Sequence, residues 1–198
     1  MANYDRYKTV TTESFDKKDI MYYLVRIPSD RKLLPFISHI KGKKILDVGP
    51  GSGRYTKLLL NDNEVVGIDR NPHLCRLPIK VLQADATQFV GLVEAHSFDT
   101  VFSTWMTEYL NPEQLGDFFK QAKMALKQEG KIVTTIISKG GFGFFYITAA
   151  GLLRGISKYN YSKREVCDKL REAGFKEISI VNLNSWLGIP WAYVVIAG

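Results

Sequence analysis

From Lys44 onward the sequence alternates short apolar runs with segments of helical pattern, and this alternation constrains the fold more than any other feature. The first five runs are rich in Val, Ile and Phe and lack a clean apolar–polar alternation, which is typical of strands buried on both faces. The last two runs are separated only by residues 184–190, too few for a helical crossover, so they predict an antiparallel hairpin at one edge. The predicted strands are Ile45–Val48, Val65–Ile68, Ile79–Leu82, Phe98–Phe102, Lys131–Ile137, Ile178–Leu183 and Trp191–Ala197.

The segments between the strands carry helix signals. Asn111-Pro112 reads as an N-cap followed by proline at the first helical position, and Gly130 and Gly174 stand where helices are expected to end. The fold class predicted is α/β: a doubly wound, Rossmann-like sheet of about seven strands, mostly parallel with a C-terminal antiparallel hairpin, and helices on both faces. The predicted helices are Arg54–Asn61, Pro72–Arg76, Thr87–Glu94, Pro112–Gln128 and Ser162–Ala173.

Length and composition limit the organisation of the chain. Its 198 residues correspond to about one domain. We expect residues 1–42 to form a helical lead-in or cap, with helical spacing over Asp19–Arg26 and Asp30–His39, and residues 43–198 to form the main domain. The 45% hydrophobic content is that of a globular protein. The two cysteines match no metal-ligand spacing and the N-terminus has no apolar signal region, so a cytoplasmic protein is expected.

The net charge is +7. Such a balance is compatible with nucleic acid, anionic lipid or an acidic substrate as partner, and equally with a solvated basic surface. Lys and Arg are scattered, with short clusters only at Lys41–Lys44 and Lys158–Arg164. The charge alone therefore does not identify a partner.

A glycine-rich turn follows the first predicted strand. Gly49, Gly51 and Gly53 allow a sharp backbone bend and the close approach of a ligand, and the helix start beyond them offers unpaired N–H groups. A dinucleotide fingerprint requires a small residue where this chain has Arg54, and the Gly-Lys-Ser/Thr ending of a phosphate-binding P-loop is absent. The loop is therefore unsuited to a pyrophosphate.

The spacing of this loop, Asp47-x-Gly49-x-Gly51-x-Gly53, resembles motif I of the class I S-adenosylmethionine-dependent methyltransferases, in particular the small-molecule enzymes of methyltransferase type 11. The similarity continues in order through the acid that ends Val65–Asp69, through Leu82–Ala86, through Phe98–Phe102, and through Leu126–Ile132 at the entry to strand five. The resemblance covers about residues 40–138. It implies S-adenosyl-L-methionine as the methyl donor, S-adenosyl-L-homocysteine as its product, and no metal.

The resemblance also implies roles for single residues. The carboxylate of Asp69 would accept hydrogen bonds from both ribose hydroxyls, and Asp85 would accept one from the adenine amino group beside the backbone N–H of Ala86. Alternatively, Asp69 and Asp85 are only turn residues that end their strands. The methionine end of the donor would be held by Asp47 and the loop, and Ser103 would border the donor at the end of strand four. The predicted donor-binding residues are Asp47, Gly49, Gly51, Gly53, Asp69, Asp85, Ala86 and Ser103.

The segment Ser103–Leu110 follows strand four, where the acceptor is expected. Many small-molecule relatives have Leu-Glu-His here, whereas this chain has Thr107-Glu108-Tyr109. Glu108 and Tyr109 are candidate catalytic residues that would orient or deprotonate an acceptor, or they only begin a helix. Trp105 would contact the sulfonium by cation–π attraction, or would be a core aromatic. The predicted acceptor is a small molecule with an O, N or C acceptor atom.

A stretch without charged residues, 140–153, lies within the predicted insertion 139–160. It is shorter than the ~20 residues needed to cross a bilayer. It predicts either a helix that covers the sheet or an apolar lid over the acceptor, which would suit a lipophilic substrate. With the basic residues that follow, it could also rest on an anionic membrane surface as a peripheral contact. The aromatic lead-in, Tyr4 through Tyr23, is expected to close the other side of the pocket.

Two alternatives to a small-molecule methyltransferase stay open. The charge favours an RNA or protein methyltransferase, although little chain is left for an RNA-binding module, so nucleic acid is not the expected partner. A catalytically silent partner subunit that only binds the donor is equally compatible with the glycine loop. The sequence does not determine the oligomeric state.

Overall fold

A computed structural model describes residues 27–140, 143–145, 148, 158–184 and 190–198. Its centre is one seven-stranded sheet in the order β3-β2-β1-β4-β5-β7-β6. Neighbouring strands from β3 to β5 are parallel, and β7 is antiparallel to both β5 and β6. The predicted doubly wound sheet with its C-terminal hairpin is thereby confirmed. The strands are β1 Lys44–Val48, β2 Glu64–Asp69, β3 Val81–Gln83, β4 Phe98–Ser103, β5 Leu126–Ile137, β6 Ile178–Asn184 and β7 Pro190–Ala197.

Side chains that alternate along each strand supply two separate cores, one on each face of the sheet. Ile45 of β1 packs in one core and Leu46, its neighbour, in the other. Helices α1 and α2 cover the Ile45 face, and α3 and α4 cover the Leu46 face. The helices are α1 Ile27–Ser38, α2 Thr56–Leu59, α3 Pro112–Ala125 and α4 Lys163–Glu172, with short 3₁₀ turns η1 at Pro72–Leu74 and η2 at Thr107–Tyr109.

The two helices that cover the Leu46 face, α3 and α4, begin at capping boxes. The Asn111 side chain accepts from the backbone N–H of Gln114, and the Gln114 side chain accepts in return from the Asn111 N–H. Ser162 and Glu165 make the same reciprocal pair at the start of α4. The predicted helix starts at these two places are therefore confirmed.

The predicted helix Pro112–Gln128 is wrong at its end. The helix stops at Ala125, and Gly130 lies inside β5 instead of following the helix. A Cβ at Gly130 would lie 3.0 Å from the carbonyl oxygens of Lys127 and Phe98, at the register shift between β4 and β5. The glycine permits a close backbone approach within the sheet. In the sequence, a glycine after a helical segment has the same pattern as a helix end, and this led to the wrong prediction.

Three other predicted helices are shorter or missing. The segment predicted as Arg54–Asn61 is helical only over α2, and Pro72–Arg76 is the single turn η1. Residues 87–94, predicted as a helix, instead form turns with isolated bridges from Asp85 to Gln88 and from Val90 to Val93. In these short, turn-rich links a helix would form too few hydrogen bonds to offset the free-energy cost of helix nucleation.

Several expectations concern residues that the structure does not describe. The lead-in Tyr4–Tyr23, the helix over Asp19–Arg26 and most of the stretch 140–153 lie outside the described ranges. Within those ranges, no helix has both the length and the apolar character required to cross a membrane.

Candidate functional site

A cleft opens where β1, β2 and β4 end, at the carboxyl edge of the parallel strands. It encloses about 870 Å³ of empty space, part of it continuous with solvent. The lining residues are Val48, Gly49, Pro50, Gly51, Ser52, Arg54, Tyr55, Ile68, Asp69, Arg70, Leu74, Ala84, Ala86, Thr104, Trp105, Met106, Tyr109 and Leu110.

The glycine loop forms one rim of this cleft. Gly49, Gly51 and Gly53 have φ angles of 79°, 55° and 83°, which favour glycine. A Cβ on Gly49 would lie 2.6 Å from Met106 Cγ, so the loop also lies tightly against the segment after β4. Around Gly51 nothing lies within 4 Å of where a Cβ would stand, which leaves its backbone accessible from the cleft.

Asp69 ends β2 and lines the cleft opposite the loop. Its Oδ2 accepts from the backbone N–H of Gly51 at 3.1 Å, and its Oδ1 accepts from the N–H of Asn71 at 2.8 Å. Burial raises the pKa of Asp69, while these N–H groups and neighbouring Arg70 act in the opposite direction. Because a carboxylate has about four lone-pair positions, the group can accept further hydrogen bonds from the cleft side.

Asp47 is buried at the end of β1, beneath the loop. Its Oδ2 accepts from Thr56 Oγ1 at 2.6 Å, and no described residue donates to its Oδ1. Burial raises the pKa of Asp47 to about 7, a net value to which the bond from Thr56 contributes a lowering and the nearby charge of Asp69 a smaller increase. A buried carboxylate with an unsatisfied oxygen favours a cationic or N–H-bearing ligand group. Asp47 is nevertheless not among the lining residues, so a ligand would reach it only past the loop.

Asp85 is committed to protein partners. Its Oδ2 accepts from Arg70 Nε at 2.9 Å and Nη2 at 2.5 Å, and its Oδ1 accepts from the backbone N–H and the hydroxyl of Thr87. Burial acts to raise the pKa of Asp85, but the bonds from Thr87 and Arg70 outweigh it and the net shift is downward. The neighbouring Ala86 lines the cleft and Asp85 does not.

The segment after β4 forms the opposite wall. Ser103 is buried below it and donates to the Val48 carbonyl at 2.8 Å, which ties the ends of β4 and β1 together. Trp105 follows with φ of 56°, a left-handed backbone that a bulky residue rarely adopts. Its indole lines the cleft and stacks on Trp191 with ring centroids 4.9 Å apart.

Glu108 lies behind this wall and forms a buried ion pair. Its Oε1 is 2.8 Å from Lys158 Nζ, and the two side chains are only 5% and 3% exposed. Its backbone carbonyl accepts from the N–H of Tyr159, and no described residue donates to its Oε2. Lys158 Nζ also lies 4.9 Å from the ring centroid of Tyr109, which lines the cleft.

The structure therefore divides the predicted site residues into two groups. Lining the cleft are Gly49, Gly51, Asp69, Ala86 and Tyr109. Not among the lining residues are Asp47, Gly53, Asp85, Ser103 and Glu108.

The sequence analysis assigned no role to the lining residues Tyr55 and Arg70. The sequence could have indicated both, because Tyr55 closely follows the glycine loop and Arg70 directly follows Asp69. Lys158 gave no such indication, because it is 50 residues from its partner Glu108.

A profile of the methyltransferase domain family matches residues 46–134, which include the loop, Asp69, Asp85 and Glu108. Among curated proteins, phosphoethanolamine N-methyltransferase 1 of Zea mays is 28% identical over 113 residues, covering 51% of this chain and 22% of that protein. The tRNA U34 carboxymethyltransferase of Pseudoalteromonas translucida is 33% identical over 120 residues, covering 55% of this chain and 37% of that protein. The chain thus spans well under half the length of these relatives.

Solved structures share the whole architecture. A SAM-dependent methyltransferase of Thermotoga maritima, described as a possible histamine N-methyltransferase, has a TM-score of 0.74 at 15% identity, with 93% of this chain and 94% of that chain covered. The PH0226 protein of Pyrococcus horikoshii has a TM-score of 0.67 at 18% identity, with 98% of both chains covered. At these identities the likeness concerns the fold.

Proposed function

We propose that residues 46–134, which match the methyltransferase domain family, form a class I S-adenosylmethionine-dependent methyltransferase domain, and that the protein transfers the methyl group of S-adenosylmethionine to a small-molecule acceptor. The observation that carries the proposal is the contact between Gly51 N–H and Asp69 Oδ2 at 3.1 Å. It joins the glycine rim to the acidic end of β2 at the carboxyl edge of the sheet, where ligands of such folds bind.

The residues of the cleft fit the donor. Asp69 retains lone pairs for the two ribose hydroxyls, and a bond to a charged acceptor is stronger than one between neutral groups. Ala86 and Ile68 supply apolar surface for the adenine, while Asp85 would act on it only after releasing Arg70 or Thr87. The accessible backbone at Gly51 and the unsatisfied Oδ1 of Asp47 suit the zwitterionic methionine end.

The donor supplies an already activated methyl group, so the protein has chiefly to align the acceptor and exclude water. Trp105, Met106, Tyr109 and Leu110 provide a wall of aromatic and apolar surface for that purpose. Such a wall is compatible with a lipophilic acceptor. Attack on the methyl carbon requires an electron pair on the acceptor, so a protonated O or N acceptor needs a base.

Glu108 supports this wall instead of offering a lone pair to the cleft. Its carboxylate is engaged by Lys158, and removing a buried carboxylate from such a pair is costly. The Tyr109 ring, which lies against Lys158, is the residue of the predicted pair that reaches the cleft. We therefore assign orientation of the acceptor to Tyr109 and support of η2 to Glu108.

Calorimetric titration with S-adenosylhomocysteine tests the donor site. We expect wild-type protein to bind it, and Asp69→Ala to weaken binding by ~1.5–3 kcal/mol, about 10- to 150-fold, because a hydrogen bond to a charged group is lost. Asp117→Ala is the matched control, since the Asp117 side chain on α3 is 45% exposed and pairs with the surface residue Lys120. Absence of binding by wild-type protein would refute the proposal, and unchanged affinity in Asp69→Ala would remove Asp69 from the site.

A second candidate function is methylation of RNA. It is favoured by the net charge of +7 and by the 33% identity to a tRNA-modifying relative. Binding of tRNA whose affinity falls steeply with salt would support this alternative, because phosphate contacts release counterions. Turnover on small acceptors without measurable tRNA binding would support the main proposal.

A further inference from the structure

The first turn of α1 is bonded to the wall of the cleft, although α1 lies outside the residues that match the methyltransferase family. Asp30 Oδ2 is 2.6 Å from Arg54 Nη2, and Asp30 Oδ1 accepts from the Tyr55 hydroxyl at 2.6 Å. The side chains of Asp30 and Arg54 are 15% and 24% exposed, so this ion pair is largely shielded from solvent. A shielded, charge-assisted contact of this kind holds its partners more firmly than a surface ion pair.

The contact continues from Tyr55 to the opposite wall. Trp105 Nε1 donates to the Tyr55 hydroxyl at 2.9 Å, so one phenol links Asp30 to the segment after β4. The neighbouring Ser29 makes a second connection, since its Oγ accepts from Trp191 Nε1 at 2.7 Å, and Trp191 stacks on Trp105. Both indoles are therefore held by bonds that begin in the first turn of α1.

Trp105 needs such support. Its φ of 56° disfavours a bulky side chain, and a residue in this backbone region persists only where its surroundings fix it. On the backbone side, the N–H of Trp105 donates to Thr135 Oγ1 at 2.7 Å. On the side-chain side, the fixing groups are Tyr55 and Trp191. Both contacts therefore contribute to holding the indole in the wall.

We propose that Asp30 is a positioning residue: its carboxylate fixes Arg54 and Tyr55 on the rim of the cleft and, through Tyr55, the indole of Trp105 on the opposite wall. Three lining residues from two separate loops thereby take their orientation from one carboxylate on α1. The consequence for methyl transfer rests on the proposed function, whereas the effect on Trp105 does not.

Two variants distinguish the contact of Asp30 with Arg54 from its contact with Tyr55. Asp30→Asn keeps an oxygen that can accept from Tyr55 but loses the charge that attracts Arg54, and Asp30→Ala loses both. Asp62→Ala is the control, because Asp62 forms an exposed pair with Lys41 and is not among the residues that line the cleft. Each purified full-length variant is examined for tryptophan emission without ligand and for S-adenosylhomocysteine affinity by calorimetry, well below its melting temperature.

We expect Asp30→Ala to shift and broaden the tryptophan emission and to weaken S-adenosylhomocysteine binding by about tenfold, the effect of one hydrogen bond to a charged group. Asp30→Asn is expected to keep the wild-type emission with an intermediate affinity, and Asp62→Ala to match wild type in both. Adding Tyr55→Phe to Asp30→Ala should then cost less affinity than Tyr55→Phe alone, because the two residues act in series.

Wild-type emission and wild-type affinity in Asp30→Ala would overturn the proposal, and so would a lowered melting temperature with both readouts unchanged, because that pattern marks a purely structural residue. If the wild-type protein binds no S-adenosylhomocysteine, the proposed function fails, and the emission comparison still decides whether Asp30 holds Trp105.

Discussion

The rim formed by residues 47–56 and Asp69, here called the glycine-loop half of the cleft, contrasts with the post-β4 half, formed by residues 103–110 and their partners. In the glycine-loop half the two carboxylates are held by neighbours in sequence: Thr56 bonds Asp47 nine residues away, and Gly51 bonds Asp69 18 residues away. In the post-β4 half, Lys158 bonds Glu108 and Trp105 bonds Tyr55, each 50 residues away. The carboxylates of the first half therefore depend on short-range contacts, whereas the second half is assembled from distant segments.

This difference predicts where single substitutions cost most stability. The ion pair between Glu108 and Lys158 is nearly inaccessible to water, so we expect Glu108→Gln to lower the free energy of unfolding by about 3–5 kcal/mol, because it leaves a buried ammonium without its carboxylate. Urea denaturation measures the change. The double variant Glu108→Gln/Lys158→Met removes both charges and should regain most of the loss. If Glu108→Gln unfolds like wild type, the post-β4 half does not depend on its long-range pair.

The glycine-loop half should respond to pH instead. The pKa of Asp47 is raised by burial from 3.8 to about 7, so between these values the native state binds a proton that the unfolded chain has lost. The contribution of this group to stability is complete below pH 3.8 and declines as pH rises towards 7. Asp47→Asn cannot lose that proton. Relative to this variant, wild type should therefore lose about 2.5 kcal/mol between pH 5 and pH 8, because the loss of 1.36 kcal/mol per pH unit levels off above the native pKa of about 7.

Urea denaturation of wild type and Asp47→Asn at several pH values tests this expectation. Asp62→Asn serves as the control, since Asp62 is exposed and its stability curve should run parallel to that of wild type. Parallel curves for Asp47→Asn and wild type would mean that the buried carboxylate is solvated or paired in solution.

The same contrast explains what the sequence could predict. The strands, the order of the motifs and the position of the glycine loop depend on local pattern. The fold class derived from them was confirmed, and the methyltransferase domain family matches residues 46–134, where the motifs stand. The helix wrongly predicted over residues 87–94 and the shortened segment at α2 are links whose conformation is set by turns and by packing. Gly130 was predicted to end a helix but lies in β5. There it permits a close backbone contact with Phe98, which is visible only in the folded sheet.

The side-chain partners in the post-β4 half could not be predicted from the sequence. Glu108 was a candidate base by its place in the motif, and nothing near it in sequence indicated that Lys158 would engage its carboxylate. Asp30 likewise gave no sign of its bonds to Arg54 and Tyr55, because it precedes them by 24 and 25 residues in a separate helix. Contacts between residues so far apart in sequence depend on the three-dimensional path of the chain. Rules based on the spacing of residues within a motif do not describe that path.

The smallest expected effect concerns a pair of rings at the border of the post-β4 half. Gly143 lies tightly against the Trp191 carbonyl, and the next two residues, Phe144 and Phe145, are 55% and 68% exposed. Replacing either with Ser should change the free energy of unfolding by less than about 0.5 kcal/mol, the usual range for surface substitutions. Phe118→Ser, at a fully buried position of α3, should by contrast cost several kcal/mol. We also expect the Phe144 and Phe145 variants to bind S-adenosylhomocysteine like wild type while turnover of an acceptor changes, because neither ring lines the cleft and both stand in the segment predicted to cover the acceptor. A large drop in melting temperature for these variants would instead place both rings in the packed core and extend the long-range assembly of the post-β4 half to the segment that follows β5.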